Sequence, residues 1–153
     1  MQDFRTIVPN NLNNNILISN IRGTANATGN TKTIAIEGTY LSAIDYVWNN
    51  IVFENLNLTT EGTGTRIRVY NTVGIVFKDC TINLKGDTKI NPYKVLSRST
   101  KFLTFKGCTI SSNQNTGRII RLSNNYEVSI NDCNIFNYNE TNTSIAIDIA
   151  DIS

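Results

Sequence analysis

Fourteen basic residues, twelve acids, three cysteines and six tyrosines carry the titratable chemistry of this 153-residue chain, and it contains no histidine. That absence excludes His-based triads, histidine zinc sites and imidazole general-base catalysis. Cys80, Cys108 and Cys133 lie 28 and 25 residues apart, with no CxxC pair. They sit at one position of a recurring motif, which predicts a stacked row of small buried side chains rather than a metal or redox site. A disulfide between neighbouring repeats fits poorly, because parallel Cβ vectors oppose the torsion it needs.

The basic residues are better placed to do chemistry. Arg66, Arg68, Lys94 and Arg121 recur on the outward side of one predicted strand, with Tyr70 and Arg98 at its edge. Such a strip can grip the carboxylates of an acidic glycan, Arg in bidentate fashion. The same pattern also suits an ordinary solvated sheet face. Glycosidase chemistry needs two carboxylates a few ångströms apart. Asp79 and Asp132 fall two repeats apart with Gly107 between them, about 10 Å by strand spacing. A bend role accounts for both. Glu54 opposite Lys78 reads as a cross-repeat ion pair. No acid is expected on the basic strand in the regular repeats, so the sequence predicts no catalytic residues, no metal and no cofactor.

The elements that position these residues are repeats. Residues 74–83, Gly-Ile-Val-Phe-Lys-Asp-Cys-Thr-Ile-Asn, recur around Phe53, Phe105 and Ile130, and more loosely around Ile18. The Phe position steps by 24, 28 and 25 residues, and the Leu56/Cys80/Cys108/Cys133 position takes the same three steps. Repeats of this length mark a solenoid. Each copy reads apolar-x-apolar, two bend residues, apolar-x-apolar. Both apolar pairs point one way within their strand, and the bend keeps both aimed inward. Stacked in parallel, the copies give a Phe ladder, a Leu/Cys ladder and an aliphatic ladder (Leu58, Ile82, Ile110, Ile135). Asn20, Asn55, Asp79, Gly107 and Asp132 fill the bend, where left-handed backbone is wanted. A second strand precedes each motif, as in Arg66–Tyr70 and Ile120–Leu122. A leucine-rich repeat shares the core motif, but its other half should be helical or Leu-rich, and here it alternates.

Phe77-Lys78-Asp79-Cys80-Thr81-Ile82 and Ile130-Asn131-Asp132-Cys133-Asn134-Ile135 resemble rungs of the right-handed parallel β-helix in the pectate-lyase-like superfamily, which includes bacteriophage tailspike and appendage proteins. The likeness covers residues 51–135 well and 16–50 loosely. The expected fold is all-β, a β-solenoid of about five rungs with three short strands each. Residues 1–15 are expected to cap it, and residues 16–153 to form the β-helix domain. The first rung is about ten residues too long, an excess placed in Gly23–Asn30. Tyr40–Trp48 reads as a strand or one helical turn.

The family's substrate groove commonly lies on the outer face that here carries the basic strip. Its calcium-dependent lyase site does not transfer. Leu17, Val52 and Val76 point outward on the second strand, and with Tyr46 and Trp48 they form a candidate oligomer interface. The resemblance implies a virion component of a phage-like particle, non-enzymatic and homotrimeric. It would recognise host surface polysaccharide or dock to other virion proteins. A polysaccharide lyase or glycoside hydrolase acting on an acidic glycan is the alternative. A net charge of +2 predicts no nucleic-acid partner. No apolar run predicts membrane insertion, and the N-terminus has no signal-peptide pattern.

Overall fold

A computed structural model describes residues 15–26, 33–37, 39–41, 44–46, 48–61, 67–85, 93–113, 118–123, 125–138 and 145–150. Its strands, in chain order, are β1 (Ile16–Ser19), β2 (Arg22–Asn26), β3 (Ile34–Glu37), β4 (Thr39–Leu41), β5 (Ile44–Tyr46), β6 (Trp48–Glu54), β7 (Asn57–Glu61) and β8 (Ile67–Lys78). They continue with β9 (Thr81–Leu84), β10 (Tyr93–Lys106), β11 (Thr109–Ser112), β12 (Arg118–Ser123), β13 (Tyr126–Asn131), β14 (Asn134–Asn137) and β15 (Ile145–Ala150). Except for the β4–β5 hairpin, every described pairing is parallel.

Three columns of strands stack, each five levels high. The first is β3, β8, β10, β12 and β15; the second is β1, β6, β8, β10 and β13; the third is β2, β7, β9, β11 and β14. The strands β8 and β10 are long enough to serve both of the first two columns. Parallel crossovers of this kind wind right-handed, and the fold is a right-handed β-solenoid of stacked rungs. The expected architecture is therefore present, with the first two strands of a rung often fused into one.

Register puts like on like. Ile18, Phe53, Phe77, Phe105 and Ile130 form one column. The rings of Phe53 and Phe77 stack with centroids 4.8 Å apart, and those of Phe77 and Phe105 at 5.1 Å. The cysteine column is fixed by backbone bonds one residue further on. The N–H groups of Asn57, Thr81, Thr109 and Asn134 donate to the carbonyls of Ile21, Leu56, Cys80 and Cys108. All three cysteines are free thiols, with Cys80 and Cys108 buried. Their Sγ atoms lie 3.5 and 3.3 Å from the carbonyl oxygens of Phe53 and Phe77. Cys80 alongside, and then burial, push the Cys108 thiol up. Burial raises Cys133.

Each motif turns its bend on one left-handed residue. Asn20, Asn55, Asp79, Gly107 and Asp132 have φ of 58°, 51°, 52°, 62° and 53°. The first four also donate their N–H to a carbonyl one rung away, so the ladder is unbroken through the corner. Asn55 Nδ2 donates to Asn20 Oδ1 at 2.7 Å. At Gly107 a Cβ would press on the Asp79 carboxylate, which would have to swing aside to admit it.

The long first rung has a different cause from the expected one. Ile34 to Trp48 takes 14 steps, where their register partners Ile67 and Thr72 are 5 apart. Gly23 to Ile34 takes 11 steps against 9 for Leu58 to Ile67. Most of the excess is thus the β4–β5 hairpin, inserted where later rungs run straight on, and only a little lies in the 23–30 segment. The same hairpin corrects the strand-or-helix reading of Tyr40–Trp48. The third-column strands run two or three residues beyond the motif, at 59–61, 83–84, 111–112 and 136–137.

At the first-rung end, an open cavity of about 380 Å³ is lined by Ile18, Ile21, Ala25, Ile34, Phe53 and Leu56, among others. Among the described residues it forms the end of the hydrophobic shaft. The cap expected of residues 1–15 falls, apart from Asn15, outside the described residues.

Polar side chains enter the core at a few places. Thr72 Oγ1 and Thr100 Oγ1 bond across one rung at 3.1 Å. Thr60, stacked between Ala25 and Leu84, is fully buried, and its hydroxyl has no hydrogen-bond partner among the described residues. A buried hydroxyl without a partner costs about 1–3 kcal/mol. Thr60→Val, which keeps the shape and the β-branch, should therefore raise unfolding stability by about 1 kcal/mol. Urea denaturation checks this, and a loss of stability contradicts it.

Candidate glycan-binding face

The outer side of the first column carries the basic strip. In β8, buried Ile67 and Val69 alternate with half-buried Arg68 and Tyr70, so the latter pair shares the outer face. The Arg68 guanidinium lies over the Tyr70 ring, 4.7 Å from its centroid. That contact orients the fork and keeps the ring as a partly apolar platform beside it.

Register then sets two rows along the column, with Arg68, Tyr70, Arg121 and Asp148 partly exposed and Ser123 buried. One runs Ala35, Arg68, Leu96, Arg121, Asp148; the next runs Glu37, Tyr70, Arg98, Ser123, Ala150. Arg68 and Arg121 stand two rungs apart, about 10 Å, with Leu96 between them. Arg98 follows Tyr70 in register, and Lys94 lies on the same strand, between Tyr93 and Val95. Arg66 lies outside the described residues, as do the side chains of Lys94 and Arg98.

Beyond the regular repeats, the strip ends on an acid. Asp148 in β15 lies beside Arg121, and its carboxylate meets Arg118 Nε at 2.7 Å and Arg121 Nε at 3.6 Å. All three side chains are a third exposed or less, so the pairing is firmer than a fully solvated one. Arg118 and Asp148 escaped the sequence reading. Alternation along 145–150 alone does not set the register that brings Asp148 beside Arg121.

The other predicted sites are placed as follows. Leu17, Val52, Val76, Thr104 and Ser129 form one continuous row on the second column. Leu17 is 61% exposed, and Val52 and Val76 are half-buried. Tyr46 ends the hairpin strand β5, and Trp48 opens β6 beside Thr72; their side chains lie outside the description. Asp79 and Asp132 occupy exposed bends on either side of Gly107. Glu54 and Lys78 pair at 2.5 Å, and Glu54 raises the Lys78 pKa through that hydrogen bond. Among the described residues, no three His, Cys, Asp or Glu side chains converge as metal ligands would.

No family model matches the chain, and no curated protein or solved structure matches it. The site must therefore be judged on its own geometry.

A second set of left-handed residues was missed from sequence. Asn50, Gly74, Phe102 and Glu127 have φ of 52°, 68°, 55° and 56°, and they share one column at the corner between the first two sheet halves. Asn50 and Gly74 carry a faint signal, being 24 apart like Phe53 and Phe77. Phe102 and Glu127 keep the spacing, 28 and 25 residues on, but their types conceal it, because left-handed backbone costs such residues about 1–2 kcal/mol.

The Asp148 contacts can be tested directly. Asp148→Asn removes the acid that engages Arg118 and Arg121. Binding of an acidic polymer such as polygalacturonate, followed by calorimetry at low salt, should strengthen about threefold. Unchanged or weaker binding would show that those guanidiniums do not belong to an anion-binding face.

Proposed function

We propose that the chain is a non-enzymatic β-helix appendage of a phage-like particle whose basic outer face recognises an acidic surface polysaccharide. The observation that carries this is the charge layout of the first column. Arg68 over Tyr70, Lys94, Arg98, Arg118 and Arg121 lie on its strands. The acids described on it, Glu37 and Asp148, stand on the first and last levels. Four rung spacings separate those levels, about 19 Å. Paired carboxylates that hydrolyse glycosides stand about 5–10 Å apart, so the layout suits gripping a polyanion better than cutting it. The phage-like setting rests on the resemblance of the rung motif to the pectate-lyase-like superfamily.

A panel of acidic capsular or pectin-type polysaccharides separates binder from lyase or hydrolase. Expected is salt-sensitive binding, weakened about tenfold by Arg68→Ala, one lost charge-assisted contact. Neither new reducing ends nor unsaturated product should appear. Steady release of either product would establish the enzyme reading instead.

The reading includes a homotrimer held by the Leu17–Val52–Val76 row, an apolar strip on the outside of a solenoid being suited to a protomer contact. Val52→Asp with Val76→Asp should lower the solution mass, measured by light scattering, from about three chains to one. A single-chain mass in the unaltered protein contradicts the trimer.

A further inference from the structure

At the corner column of Asn50, Gly74, Phe102 and Glu127, Phe102 is the anomaly. Asn tolerates left-handed backbone and Gly has no Cβ to object. Phe102 gains neither advantage, and its side chain is 50% exposed, so burial does not explain it. The other phenylalanines of the rung motif are buried in the central stack. An aromatic side chain kept outward on strained backbone is the form a contact surface takes.

Its neighbours in the column are polar and open. Exposed Glu127 stands one rung to one side. On the other side is Gly74, whose missing side chain leaves room for the amide of exposed Asn50. A Cβ on Gly74 would come within 2.8 Å of Asn50 Oδ1, so that amide reaches along the stack over the glycine toward Phe102. The column therefore presents, in order, an amide lying over Gly74, an exposed aromatic ring and a carboxylate. Phe102 follows Arg98 by four residues on β10, so the corner adjoins the basic face.

The geometry points to a sugar subsite at this corner, taking a neutral pyranose. The ring's C–H face would stack on Phe102, and its hydroxyls would bond to the Glu127 carboxylate and the Asn50 amide. An aromatic wall with a few placed polar groups is the usual make-up of a small-molecule site. An amide donates and accepts while a carboxylate accepts, which suits vicinal hydroxyls. Glu127 repels an anionic sugar, so the corner selects a neutral unit while Arg68 and Arg121 hold an acidic one. This deepens the reading of the basic face and rests on it for the polymer's overall character: the ligand is a polysaccharide mixing acidic and neutral residues.

The test uses saturation-transfer NMR on the full chain. One arm takes a panel of neutral methyl glycosides (gluco, galacto, manno, rhamno and N-acetylglucosamine); the other takes polygalacturonate. At least one neutral glycoside should show transfer to its ring C–H protons. That signal should vanish in Phe102→Gly, fall at least fivefold in Glu127→Gln and persist in Arg68→Ala. Phe102→Gly relieves the backbone strain, so its melting temperature should be unchanged or higher, which separates lost binding from lost fold. No transfer from any panel member, or transfer unaffected by Phe102→Gly, overturns the subsite. If polygalacturonate still binds in that case, the basic-face reading survives alone. If only neutral glycosides bind, the subsite stands and the basic-face reading falls.

Discussion

Strand spacing in a parallel stack leaves little choice about neighbours. Rungs lie about 4.8 Å apart, so every side chain meets its own equivalent above and below. Inside, this rewards repetition: Phe53, Phe77 and Phe105 stack nearly plane on plane, and the cysteines follow in the adjacent column. Outside, it penalises repetition of charge, since like charges directly opposite destabilise a sheet. The chain meets that constraint in two ways. Glu54 and Glu61 stand beside Lys78 and Lys85, while Leu96 separates Arg68 from Arg121 before Asp148 closes the row.

The corners follow from the same constraint. A rung must turn without losing its ladder bonds, and one left-handed residue per turn accomplishes this. Where the residue is Asn, Asp or Gly, the turn is cheap and the choice is structural. Where it is Phe102 or Glu127, the fold alone gives no reason for the residue. The interior and the first set of bends thus specify the solenoid. The first column's outer face and the second corner hold residues whose identity the solenoid does not demand.

This division also explains what was legible beforehand. The Phe and Cys columns and the Asn/Asp bends announced themselves because period, burial and backbone preference agree there. The β4–β5 hairpin did not, because Tyr40, Leu41, Ile44, Tyr46, Val47 and Trp48 are apolar without a clean period, and the 35-residue spacing from Ile18 to Phe53 does not say where the surplus lies. Phe102 was hidden because its backbone contradicts its propensity. The Asp148 contacts were hidden because an alternating strand at the end of a chain can pair at several levels. Strand alternation and a shared register suffice to place Arg68, Tyr70 and Arg121 on one strand column.

One register governs the whole shaft, and NMR contacts between aromatic rings report on it. With the phenylalanine rings selectively labelled, Phe77 should show cross-relaxation to both Phe53 and Phe105, while Phe53 and Phe105, two rungs apart, show none to each other. Absence of either Phe77 contact, or a direct contact between Phe53 and Phe105, would contradict the stack and the placement of every outward residue derived from it.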